Sequence, residues 1–261
     1  MPPRPRQTEP PFPTEFPLNE LLDRTDWASL ATAGGTGESL PAALTLLTSS
    51  DPVARETGLR TALGSVTHQN SIYEATVPVA LFVAAILDHP AVTAGDSGHG
   101  APTPSTLVRL LDWLGDTAAD ADDEFSATDE HLDSEVCRAE IRAFREAKPA
   151  IFPKVQALLG HDSTDVRHAA LIAVIPLVEH PFLTQHQAEI VGHARRLLAA
   201  STDRHHRNRA LDALKGWGYN TGELENASDI AARERYARLQ AARASWDGNW
   251  AGGGYSEEPP F

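Results

Sequence analysis

At 261 residues and 28.1 kDa, the chain is long enough for one large domain or two small ones with a real core. It carries 22 Lys and Arg against 36 Asp and Glu, a formal net charge of −14; this disfavours general nucleic-acid binding, because phosphate contacts need basic side chains. A single cysteine, Cys137, excludes an internal disulfide framework, no run approaches the ~18 consecutive apolar residues of a membrane span, and Met1 to Arg6 lack the apolar core of a signal peptide. The expectation is a soluble, cytoplasmic, non-membrane protein without cofactor or metal.

Residues 1–17 hold Pro2, Pro3, Pro5, Pro10, Pro11, Pro13 and Pro17, which favours an extended N-terminal arm over a helix. From Leu18 the apolar residues recur at three and four positions, as in Leu18-Leu21-Leu22, Leu40-Ala43-Leu44-Leu47 and Leu107-Leu110-Leu111-Leu114. Val155-Leu158-Leu159 and Ile190-Ala194-Leu197-Leu198 continue the pattern. Each set draws a stripe down one face of a helix. No segment alternates as a half-buried strand does, and no Asn-Gly hairpin signal stands between alternating runs. Gly34-Gly35-Thr36-Gly37, Asp88-His89-Pro90, Gly95 to Pro104, Gly160-His161-Asp162 and His180-Pro181 break the helices, the first reading as an interhelical turn. The fold class is all-α, with a helical body over 18–246 and a Gly-, Pro- and aromatic-rich tail over 247–261. Trp246, Trp250 and Tyr255 in that tail either fold back on the body or bind a partner.

The charge is concentrated. Residues 116–135 carry nine acidic side chains and no Lys or Arg, against a balance of −6 over residues 1–115 and +1 over 136–261. Repulsion at that density, with few apolar residues to offset ordering, predicts a solvated loop inserted between helices. The sharper reading makes Asp120, Asp122, Asp123 and Glu124 an acidic lure for a basic partner.

One local phrase recurs four times, a polar residue followed four positions later by an arginine. It stands at Asp51 to Arg55, Ser163 to Arg167, Asp203 to Arg207 and Asp229 to Arg233. In the first three a small residue and a leucine follow at +3 and +4, ending on Leu59, Leu171 and Leu211. The polar residue suits an N-cap, the small residue admits a neighbouring helix closely, and the leucine begins the buried stripe. Arg167 and Arg207 lie 40 residues apart, the length of a two-helix repeat.

With its flanking Leu-Leu helices, this phrase resembles the HEAT repeat. The stretch from His68 through Tyr73-Glu74-Ala75-Thr76 into the apolar run Val77 to Leu87 resembles bacterial HEAT-like proteins more narrowly. The Arg- and Ala-rich composition with three lysines fits the actinobacterial type. The similarity covers about residues 38–88 and 148–237, and the segment 91–147 departs from it. What the resemblance implies is a right-handed, armadillo-like α-solenoid of four to five helical hairpins, whose stacked faces share a core and whose surface holds a partner. Pro78 and Pro176 are then expected inside apolar helices, bending them along the curve.

Chemical signatures are weak. Eleven histidines include the pairs His161/His168 and His186/His193 at two-turn spacing, yet no His-x-x-x-His or His-Glu-x-x-His occurs to build a metal site. Cys137 follows the acidic stretch, where carboxylates raise a thiol pKa, so it reads as a small buried residue and not a nucleophile. Neither a Gly-x-Ser-x-Gly elbow nor a phosphate-binding Gly-rich loop is present. HEAT-like DNA glycosylases line a groove with basic and aromatic groups around a carboxylate; here Arg195, Arg196, Arg204, Arg207 and Arg209 are interleaved with Asp203, Asp212 and Glu189. HEAT-like bilin lyases are the other enzyme class weighed, and no pigment-related feature stands out here.

The function expected is a non-enzymatic protein–protein interaction module that binds a partner on its solenoid surface, either as a scaffold or, in a more specific version, as an immunity or antitoxin-like inhibitor of the kind the HEAT-like resemblance implies, with a basic partner drawn by the acidic charge. The alternative is a HEAT-like enzyme acting on DNA bases or a small ligand in a concave groove. The repeat arginines Arg55, Arg167, Arg207 and Arg233 are expected to hold loops. The candidate binding face is His68, Tyr73 and Glu74. His68 and Tyr73 can equally form a buried hydrogen-bonded pair closing the repeat, the reading favoured from the residues alone.

Overall fold

The computed structural model describes residues 18–94, 104–122 and 134–247. The Pro-rich arm, residues 123–133 of the acidic stretch with Asp123 and Glu124, the side chain of Cys137 and the tail from 248 lie outside the described residues. What is described is mostly helical. The chain groups into two compact units, residues 1–194 and 195–261.

In the first unit, α1 (Leu18–Arg24) leads through a single buried turn at Trp27 to a minimal hairpin, β1 (Ala31–Thr32) with β2 (Gly35–Thr36). Then come α2 (Leu40–Leu46) and α3 (Pro52–Gly58). The latter continues through a π-helical turn, Leu59–Leu63, into α4 (Gly64–Val66). The widened turn lets Leu59, Ala62, Leu63 and Val66 all face inward.

A second hairpin, β3 (Thr67–His68) with β4 (Ser71–Ile72), follows; Gln69 and Asn70 at φ 50° and 62° form its two-residue, left-handed turn. Both hairpins escape a periodicity reading for one reason: two-residue strands are too short to alternate. The Gly34-Gly35 breaker is accordingly a hairpin turn and not a link directly between helices.

Beyond it lie α5 (Thr76–Ile86), the short α6 (Pro90–Thr93), α7 (Thr106–Asp120), α8 (Ser134–Gln156) and α9 (Thr164–Leu177). The helices α5 and α9 are buried on nearly every side, which is why both are apolar all round, whereas α7 keeps one polar face. Phe82, Leu110, Leu111, Leu114, Phe144 and Ile151 are among the fully buried side chains of this core.

Asp116 and Asp120 belong to α7 and Asp122 follows its end, so the first part of the acidic stretch is not a loop. The prolines also differ from expectation. Pro78 is the third residue of α5, where the backbone N–H would have no helical partner anyway, so it removes no bond and imposes no bend. Pro176 is the penultimate residue of α9, so it ends that helix rather than curving its middle.

The α7 and α9 backbones pack tightly at Gly115, where a Cβ would stand 2.9 Å from Ala173 Cα. Gly115→Ala is therefore expected to destabilise by about 1–3 kcal/mol, the overpacking cost outweighing the gain in helix propensity. Gly64→Ala, with nothing within 4 Å, is expected to stabilise by about 0.5–1 kcal/mol. Urea denaturation of the two variants checks the opposite signs.

The helix α10 (Gln187–Ala200) runs through the boundary between the units. The second unit contains its end, α11 (Arg204–Gly216) and the long α12 (Ala227–Asp247). Among the described side chains of α12, Asp229 and Ala232 near its start are buried, whereas Tyr236 and Leu239 are exposed.

Candidate binding pocket

Three of the four phrase arginines share one contact. Arg55 donates to the carbonyls of Ser49 and Ser50 at 2.9 and 3.2 Å, six and five residues before it. Arg167 donates to those of His161 and Asp162 at 2.7 and 2.8 Å, the same offsets. Arg207 reaches Ser201 O, six residues back, at 3.1 Å and also Leu198 O. In each case the guanidinium folds back from the first turn of its helix onto the loop that enters it. Asp51 and Asp203 cap their helices through Val53 N at 3.0 Å and His206 N at 2.8 Å. Ser163 occupies the cap position, but its side chain accepts no capping bond.

The fourth phrase is different. Asn226 is the cap of α12, and Asp229 answers it from the third helical position: Asp229 N donates to Asn226 Oδ1 at 3.0 Å and Asn226 N to Asp229 Oδ2 at 2.8 Å, a reciprocal capping box. Arg233 pairs with Glu225 instead of with loop carbonyls.

His68 and Tyr73 do not meet. His68 is exposed and opposite Ser71 across the hairpin, so the buried His–Tyr pair does not form. His68 lines one depression with Trp113, Asp116 and Asp120. Tyr73 and Glu74 line another, of about 300 Å³, with Val77 from α5 and Ala139, Glu140 and Ala143 from α8. The predicted face is thus split by the hairpin, and its Tyr73–Glu74 half forms the more distinctive pocket.

Its walls are held from below. Glu74 Oε2 accepts from Ala31 N at 2.8 Å, and Ala75 N donates to Ala31 O at 3.2 Å, so the first hairpin fixes the approach to α5. Thr76 Oγ1 accepts from Tyr73 N at 2.9 Å and donates to Val66 O at 2.7 Å, pinning the Tyr73 turn to the end of α4. Opposite, Glu140 is 8% exposed, and its Oε2 is buried without a hydrogen-bond donor among the described residues. Ile141, Phe144, Lys148, Ile151 and Val155 form the buried stripe of α8. Glu140 sits at the head of that stripe, a charged residue at a position the helical period reserves for apolar ones. That signal was readable in the sequence, and it applies to Lys148 as well.

Asp122 is engaged structurally. Its carboxylate accepts from Lys148 Nζ at 2.6 and 2.7 Å, which gives it a fixed internal partner where an acidic lure would leave it free. Burial holds the Lys148 ammonium below its ordinary pKa, against the opposing pull of Asp122.

Three of the histidines are turn formers. Nδ1 of His89, His161 and His180 accepts the backbone N–H two residues on, at 3.2, 3.0 and 3.2 Å. His186 packs its ring 4.7 Å from that of Phe152. Among the described residues no group of three His, Cys, Asp or Glu is placed to hold a metal ion, and no helix is long and apolar enough to cross a membrane.

A larger groove of about 430 Å³ lies in the second unit between α11 and α12, lined by Arg204, Asp212, Lys215, Glu225 and Arg233 among others. Three of its charges, Lys215, Glu225 and Arg233, are paired with one another. Glu225 accepts from Lys215 at 2.9 Å and from Arg233, and the Lys215 bond foremost holds its carboxyl below the usual carboxylate range.

In comparisons with known proteins, the chain matches no family model, no curated protein and no solved structure.

Proposed function

We propose that the chain is a HEAT-like helical-repeat protein that serves as a non-enzymatic interaction module for a basic protein partner, in the manner of an immunity or antitoxin-like inhibitor. The observation that carries this reading is the arginine clamp. Arg55, Arg167 and Arg207 each tie an interhelical loop to the helix that follows by the same backward reach, which is what repeated helical hairpins stacked in an α-solenoid require. An arginine that spends its donors on carbonyls is a scaffold element, and a scaffold of this kind offers a surface instead of a reaction centre.

Charge supports the choice of partner. Residues 1–194 carry 12 basic and 27 acidic side chains, whereas 195–261 carry 10 and 9, so the whole excess of negative charge resides in the first unit. Such a field steers a basic partner and raises its association rate.

The test is capture by the intact chain and by a variant with Asp123, Glu124, Asp129, Glu130 and Asp133 replaced by Asn or Gln, which neutralises the segment without shortening the chain and leaves Asp122 and Lys148 unchanged. The expected result is one stoichiometric protein partner whose association rate falls about tenfold or more between 20 and 200 mM salt. A lower association rate in the neutralised variant assigns the steering to that segment. Co-purification of nucleic acid with no protein overturns the reading in favour of an enzyme acting on bases.

A further inference from the structure

A carboxylate removed from water without a donor is costly, and a chain that folds around one gains nothing from it in isolation. Glu140 Oε2 is in that position, and Glu140 lines the Tyr73–Glu74 pocket. The remaining walls limit what can satisfy it. Val77, Ala139 and Ala143 offer methyl groups and Tyr73 an aromatic ring. Of the Glu74 oxygens, Oε2 is already committed to Ala31 N–H.

A divalent cation such as calcium takes six to eight oxygen ligands, and magnesium demands near-ideal octahedral geometry, so a pocket with two carboxylates and three aliphatic walls suits neither. An organic cation fits each wall. Its charged head donates to Glu140 and Glu74, its methylene stem lies along the alanines and Val77, and the Tyr73 ring favours the positive charge. Neutral donors are disfavoured because the pocket lies in the unit that holds all the excess negative charge.

We propose that the pocket formed by Tyr73, Glu74 and Val77 with Ala139, Glu140 and Ala143 receives an alkylammonium or guanidinium group, the end of a Lys or Arg side chain from the basic protein partner. The assignment rests on the interaction-module reading for the source of the cation, but not for its chemistry. Glu140 is then held unpaired in the free protein and completed by the partner, so stability and binding must respond to it with opposite signs.

The experiment uses the full chain and its Glu140→Met, Glu140→Gln and Asp165→Asn variants; Asp165 is exposed and on α9, so Asp165→Asn controls for loss of one negative charge. Thermal melts come first. Glu140→Met is expected to raise Tm by about 2–8 °C, because an unpaired buried carboxylate has been removed. A Tm that falls overturns the proposal, since it shows Glu140 to be satisfied within the fold.

Calorimetric titration follows, with the peptide acetyl-Gly-Lys-Gly-amide, its norleucine analogue, cadaverine and calcium chloride as probes. The lysine peptide is expected to bind one to one, at least tenfold more weakly to Glu140→Gln than to wild type or Asp165→Asn, and the norleucine peptide not at all. Cadaverine binding with exclusion of the peptide overturns the polypeptide source and assigns a free amine. Glu140-dependent calcium binding overturns the organic cation, and binding indifferent to Glu140→Gln overturns the site.

Repeating the protein capture separates the two readings. A partner retained undiminished by Glu140→Met overturns the pocket and leaves the module. Peptide binding with no captured protein leaves the pocket and removes the module.

Discussion

Replacing Arg207 by alanine is expected to destabilise the second unit by about 3–5 kcal/mol, enough to unfold it in the otherwise intact chain. The guanidinium has five N–H donors, and all five are used. Nε donates to Asp229 at 3.0 Å, one terminal nitrogen to Leu198 O and Ser201 O, and the other to Leu224 O at 2.9 Å and Asp229 Oδ2 at 2.6 Å. Arg207 and Asp229 side chains are 3% and 5% exposed, so the pair is dry. One residue therefore joins the end of α10, the loop before α12 and the first turn of α12. Its removal orphans three carbonyls and leaves a buried carboxylate with only its capping partner.

Lysine does not rescue this site. An ammonium has three donors on a flexible stem and cannot span the fork that meets Asp229 on one side and the α10 carbonyls on the other. Arg207→Lys is expected to lose most of what Arg207→Ala loses. A Lys variant within about 1 kcal/mol of wild type, by urea denaturation followed through hydrogen exchange of α11 and α12 amides, contradicts the five-donor account.

The same pair sets an acid limit. The Arg207 hydrogen bond, foremost, holds Asp229 below the ordinary carboxylate range, against the opposing effect of burial. Because the folded value is the lower one, the contribution is fully present above about pH 4, and it is lost as pH falls from there through the folded value. Asp229→Asn should remove that part of the acid sensitivity while lowering stability at pH 7.

Local contacts were legible in the chain and distant ones were not. The loop clamps of Arg55 and Arg167 reach only five and six residues back, to carbonyls just before the recurring phrase, whereas the bond from Arg55 Nε to Thr106 Oγ1 spans 51 residues. The all-α class was legible for the same reason, since a stripe is a local period. Asp229 was misplaced as a cap because its main partner, Arg207, is 22 residues away. Asn226, the true cap, has Asp229 three residues later, and that capping-box spacing was present in the sequence. Of the face His68, Tyr73 and Glu74, the last two line one pocket while His68 lines another; His68 is close to them in sequence, and a two-residue left-handed turn separates them in space. Glu140, which completes that pocket, comes from α8, and only the tertiary fold brings the two segments together.

Asp122→Ala is the counterpart in the first unit, with an expected loss of about 3–5 kcal/mol. The loss arises at Lys148, not at Asp122. Lys148 is 1% exposed while the Asp122 carboxylate is one-third open to solvent, so the variant strands a buried ammonium whereas the aspartate by itself could be hydrated. Lys148 Nζ also donates to Pro176 O at 2.9 Å, which makes it a three-way tie between the end of α7, the middle of α8 and the end of α9.

A buried ion pair need not stabilise relative to an apolar one of the same shape, and this distinguishes the two partners. Lys148→Met fills the same volume and leaves Asp122 in contact with water, so it is expected to cost less than about 2 kcal/mol. Adding Lys148→Met to Asp122→Ala should recover most of the single variant's loss, so the double-mutant cycle is expected to show a coupling at the upper end of that for contacting pairs, about 3 kcal/mol. His180 provides a readout independent of stability. Burial first, and the Lys148 charge second, hold its imidazole below the usual histidine pKa. Lys148→Met must therefore move the His180 titration upward by nuclear magnetic resonance, and Asp122→Ala must move it further down. A His180 titration unchanged in both variants contradicts a charged Lys148 at this junction, and equal destabilisation by both contradicts the asymmetry of burial on which the prediction stands.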